Sequence, residues 1–110
     1  MEARAGRRVA IRYFDGCTNW RTAYARLNDV LRETGHEDFT VDLERIDTLE
    51  DAERLRFLGS PTILFDGEDP FAIGPAGGYG LSCRVYGTPE GPAGSPTKDQ
   101  FREVVATLDR

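Results

Sequence analysis

The hydropathy pattern of residues 8–44 changes period twice, and this double change constrains the fold more than any other feature of the chain. From Arg8 to Phe14 the residues are mostly β-branched or aromatic, and Val9, Ile11 and Tyr13 alternate onto one face, as in a strand. Beyond that point Trp20, Tyr24, Leu27 and Leu31, with Ala23 and Val30 beside them, recur at three- and four-residue steps and predict an amphipathic helix. Thr18 or Asn19 can cap its start, and Thr34-Gly35 ends it, because glycine readily takes the left-handed conformation past a helix C-terminus. Alternation then returns: Phe39, Val41 and Leu43 face one way, Thr40, Asp42 and Glu44 the other, and the polar side suggests a sheet edge. A strand, a helix and a strand in about forty residues make a βαβ unit with parallel strands and a right-handed crossover.

The second half is more broken. Thr48-Leu-Glu-Asp51 is a capping-box variant, and Leu49, Ala52 and Leu55 give a short helix that Gly59 terminates. Ser60-Pro61 leads into an apolar strand, Thr62–Phe65, and Asp66-Gly67 is a turn signal after it. Residues 68–80 are rich in Gly and Pro, and Phe71, Ala72, Ile73, Ala76 and Tyr79 keep no period, so this stretch reads as a loop, either a lid or a mobile segment. Leu81–Tyr86 alternates, with Leu81, Cys83 and Val85 on one side, and is expected to pair with the preceding strand as a wide hairpin. After a Pro/Gly connector at 87–96, Thr97 to Gln100 is a capping box, and Phe101, Val104, Val105 and Leu108 form the core face of a last helix.

A chain of 110 residues suits one domain, spanning 1–110. Its net charge of −5 disfavours a nucleic-acid or anionic-membrane partner, and no apolar run approaches membrane-spanning length. The cluster Arg4, Arg7 and Arg8 reads as a solvated tail, and no apolar h-region follows it, so the cytoplasm is the expected compartment. Two cysteines are too few for a disulfide scaffold, and reduced thiols are the expected resting state.

Cys17 lies at the first strand-to-helix junction, where unpaired backbone N–H groups and the positive end of the helix dipole favour a thiolate, the nucleophilic form. Asp15 could relay a proton, although a turn with Gly16 is its better reading. Trp20 stacks over the site or packs in the core. Cys83 is either a core residue or a resolving thiol, the latter only if the two Cα atoms come within about 7 Å. His36 follows the far end of the first helix, about 24 Å from Cys17 by helix rise, too far for a Cys-His pair. The glycine-rich run at 74–80 lacks the Gly-Lys-Ser/Thr ending of a phosphate loop.

The element order βαβ-α-ββα, with Cys17 opening the first helix and Ser60-Pro61-Thr62 before the third strand, resembles the thioredoxin-like superfamily. The stretches Tyr13 to Trp20, Ser60 to Thr62 and Leu81 to Arg84 also resemble small one-cysteine members, some labelled by similarity to alkylmercury lyase. The resemblance implies an α/β domain with a four-stranded mixed sheet and helices on both faces. It also implies a cis bond at Pro61 and a substrate surface made by Trp20, Ser60, Pro61 and Thr62. Trp20 stands where the family's second motif cysteine would be, which excludes a dithiol cycle within Cys17-Thr-Asn-Trp20. The expected function is mixed-disulfide exchange at Cys17 with a small thiol or a protein thiol or disulfide and no cofactor, Cys83 being a candidate resolver if it is not a core residue. If the protein is an enzyme, it is a thiol-disulfide oxidoreductase. The alternatives are a non-catalytic binding module, or a soft-metal or organomercurial site built from Cys17, Cys83 and Asp15.

Overall fold

The computed structural model describes residues 7–71 and 80–108. The elements follow as β1 (Arg8–Tyr13), α1 (Asn19–Glu33), β2 (Thr40–Arg45), α2 (Leu49–Arg54), β3 (Thr62–Phe65), β4 (Tyr86–Thr88), β5 (Gly91–Ala93) and α3 (Lys98–Leu108). β1 is the centre of a three-stranded sheet of order β2-β1-β3, parallel to β2 and antiparallel to β3. The register puts Val9 beside Val41 and Phe65, and Ile11 beside Leu43 and Ile63. One sheet face is thereby apolar, and α1 and α3 cover it. Val9, Ile11 and Ile63 are fully buried against Leu27 and Val30 of α1 and Phe101 of α3. Burying each such side chain contributes about 1.5 to 3 kcal/mol.

The helix ends obey the local chemistry of their sequences. α1 runs up to Thr34, and Gly35 takes φ 77° beyond it. Thr97 and Gln100 close a reciprocal capping box: the Gln100 amide donates to Thr97 Oγ1 at 3.1 Å, and the Thr97 amide donates to Gln100 Oε1 at 2.9 Å. Thr48 Oγ1 accepts from the Asp51 amide at the start of α2. That helix stops at Arg54, earlier than the expected end at Gly59, and Arg56 takes a positive φ just after it. Asp66 and Gly67 both have positive φ and make the tight turn after β3, with Phe65 and Glu68 exchanging backbone hydrogen bonds.

The four-stranded thioredoxin-like sheet with helices on both faces does not form. The main sheet has three strands, and a separate antiparallel pair, β4-β5, lies apart from it. Leu81–Val85 is not a strand: among the described residues its only ladder contact is one parallel bridge, between Ser60 and Cys83. Its alternating side chains face solvent, and Val85 is 68 % exposed. Pairing instead falls where only a connector was expected, with Tyr86 opposite Ala93 and Thr88 opposite Gly91. Among the described residues no helix covers the second face of the main sheet. Arg8, Ala10 and Arg12 of β1 point there beside Asp42 and Glu44 of β2, with Arg8–Asp42 at 3.1 Å and Arg12–Glu44 at 2.9 Å. These charged pairs need no cover, and α2 packs Ala52 with Ile46 and Phe57 in a small cluster of its own.

Arg7 and Arg8 do not form a free tail: Arg7 pairs with Asp66 and donates to the Leu108 carbonyl. Arg4 and most of the 68–80 loop, including Ala72, Ile73, Ala76, Tyr79 and most of the glycine-rich run, lie outside the described residues. Phe71 packs edge-on against Tyr86 and Phe101. Among the described residues no helix is long and apolar enough to cross a membrane.

Candidate functional site

The turn between β1 and α1 fixes the first sulfur. The Cys17 amide donates to the Phe14 carbonyl at 3.2 Å, which folds the chain back under β1 and leaves Cys17 1 % exposed. A Cβ at Gly16 would run into the edge of the Phe14 ring, so any other residue there would make that ring move. Cys17 directly precedes Thr18, the N-cap of α1. Thr18 makes no side-chain cap bond and the first turn carries no acidic residue, so no carboxylate in that turn offsets the positive end of the helix.

Cys17 is bonded to Cys83, 66 positions on in sequence, with Cα atoms 5.7 Å apart. The separation left open by the sequence is therefore inside the range a disulfide requires. The two cysteines are joined where free thiols were expected. Cys83 is also no core residue: it lies on the exposed stretch 81–83, between a helix start and solvent.

Ser60 is the second anchor. Its amide donates to the Ser82 carbonyl at 2.7 Å and its carbonyl accepts from the Arg84 amide at 2.9 Å, so residues 82–84 lie along it as a one-residue parallel ladder. The Phe14 amide donates to Ser60 Oγ at 3.3 Å, and the Ser60 carbonyl oxygen lies 3.5 Å from Cys17 Sγ. The Ser60-Pro61 peptide bond is cis. Thr62 donates its hydroxyl to the Gly59 carbonyl, and the Tyr86 hydroxyl donates to the Pro61 carbonyl. Ser60, Pro61 and Thr62 are buried, and residues 82–84 of the chain itself take the backbone amide and carbonyl of Ser60.

An ion pair and a close backbone approach that the sequence did not reveal hold segment 82–84 in place. Arg84 reaches Asp69 at 2.6 Å, with side chains only 9 % and 12 % exposed, and its guanidinium lies 4.5 Å from the Tyr86 ring centre. Gly59, at φ 120°, lets the Arg84 backbone approach: a Cβ there would come within 3.2 Å of it. Opposite charges bracketing a Gly/Pro-rich loop were the available signal, and it carries no information about distance.

The remaining candidates lie to the side. Asp15 is exposed and pairs with Arg45 at 3.4 Å. Trp20 is half-buried, stacks on Tyr13 at 4.4 Å and packs against the main core. His36 meets Thr34 Oγ1 and the Phe39 ring at the opposite end of α1. Among the described residues no group of three or more His, Cys, Asp or Glu side chains is arranged to hold a metal, so Cys17, Cys83 and Asp15 do not make that set. Comparison with protein-family models, curated proteins and solved structures gave no match to this chain.

Proposed function

We propose that the protein is a thiol-disulfide redox protein, cycling Cys17 and Cys83 between disulfide and dithiol by exchange with a small thiol or a protein thiol. The observation that carries this reading is the Cys17–Cys83 bond itself, which joins a buried helix-start sulfur to an exposed residue. A bond that ends on an exposed residue is open to exchange, because access and thiolate character govern its rate. The local anchors at Ser60 and Asp69 support reversibility, since they hold Cys83 beside its partner by contacts that do not depend on the S–S bond. In a reducing compartment such as the cytoplasm, a bond of this kind would be transient.

The test is catalysis of exchange between reduced glutathione and a peptide disulfide. Wild-type protein should accelerate it, and Cys17→Ser and Cys83→Ser should each remove the acceleration. Equal rates with and without wild-type protein would leave the bond a structural staple.

A further inference from the structure

The two sulfurs of this bond are not equivalent. Exchange at a disulfide is an in-line displacement: the incoming thiolate approaches the attacked sulfur from the side opposite the sulfur that leaves. Cys17 is 1 % exposed and the Ser60 carbonyl oxygen stands 3.5 Å from its sulfur, so little of Cys17 is open to an incoming thiolate. Approach to Cys83 Sγ comes from the side away from Cys17. Cys83 is an exposed residue, and its alternating neighbours Leu81 and Val85 are 37 % and 68 % exposed.

Resting on the redox reading above, we infer that Cys83 makes the bond with the external thiol, and that Cys17 is the buried resolving thiol. This reverses the roles expected from the position of Cys17 at a helix start. In the reducing direction a low-molecular-weight thiolate RS⁻ bonds to Cys83 Sγ, the Cys17–Cys83 bond breaks, and Cys17 Sγ departs with its electron pair. It departs beside the uncompensated positive end of α1, and once protonated it can donate to the Ser60 carbonyl. A second RS⁻ attacks the R sulfur of the mixed disulfide, giving RSSR and the Cys83 thiolate. Two external thiols are oxidised, one protein disulfide is reduced, and two protons pass from RSH to the protein. In the oxidising direction the Cys83 thiolate opens RSSR and expels RS⁻, and Cys17 then attacks Cys83 Sγ and expels the second RS⁻.

The anchors give this order a purpose. The Arg84 and Ser82 backbone bonds to Ser60, and the Arg84–Asp69 pair, keep Cys83 next to Cys17 while it carries the external group. Resolution is then intramolecular and needs no large movement.

The experiment treats the oxidised wild-type chain with excess reduced glutathione near neutral pH, quenches with acid at short times, blocks free thiols with a maleimide and maps the peptides by mass. Glutathione should be found on Cys83 and maleimide on Cys17, with at least roughly tenfold more glutathione on Cys83. Adducts mainly on Cys17, or equally on both, would overturn the inference and leave the exchange reading standing. A disulfide that persists with no adduct on either cysteine would overturn the exchange reading, and this inference with it.

Discussion

Tyr86 ties the site to the core, because its hydroxyl donates to the Pro61 carbonyl while its ring packs against Phe71 and faces the Arg84 guanidinium. Burial raises its pKa above the ordinary 10.0, since a phenolate there would lose solvation; Arg84 opposes the shift and Asp69 adds to it. A group whose folded pKa is raised contributes stability that is fully present below its unfolded pKa and is lost as pH rises toward the folded one. Urea unfolding of the oxidised protein should therefore show stability falling above about pH 10, and Tyr86→Phe should flatten that fall. The same substitution should cost about 1 to 2 kcal/mol at pH 7, because the buried Pro61 carbonyl loses its donor. An unchanged alkaline limb in Tyr86→Phe would show that another group is responsible. At this scale the sequence was legible where chemistry depends on local context: Cys17 at a helix start and Ser60-Pro61 before a strand were both readable. What Cys83 bonds to, and that Arg84 reaches Asp69, depend on how distant segments meet, and no local pattern encodes that.

Residues 82–84 behave as a strap laid along Ser60 and stapled through Cys83. Hydrogen exchange should show the Ser60 and Arg84 amides protected in the oxidised protein. On reduction these two should exchange faster while the β1 and β3 amides keep their protection, because the local bonds survive but lose their covalent clamp. Loss of protection throughout β1 and α1 would mean instead that the disulfide holds the whole fold. Elements with a strong period or a capping pair were legible, namely β1, α1, β3 and α3 with its Thr97–Gln100 box. Leu81–Val85 was misread because alternation marks which residues share a face but not whether that face is covered. The pair β4-β5 was missed because Gly87, Pro89, Gly91 and Pro92 read as a connector, and a two-stranded ribbon of three-residue strands has little periodic signal to offer.

At the scale of the whole molecule, the open sheet face was written in β1 and β2 as alternating Arg8, Arg12, Asp42 and Glu44, which form cross-strand ion pairs rather than a surface for a helix. The family template called for helices on both faces, and the polar alternation was the better guide. The disulfide is the longest covalent constraint on the chain, and closing a loop across 66 positions would stabilise it by about 4 kcal/mol in the chain-entropy model. Such a gain would serve a structural staple as well as a redox pair, so stability does not distinguish them. The reduction potential does. Equilibrating the full chain with glutathione buffers of graded ratio and quantifying the Cys17–Cys83 bond by mass should give a value between about −180 and −270 mV, the range of exchanging protein disulfides. A value below about −300 mV, where structural disulfides resist the glutathione pool, would contradict the redox role.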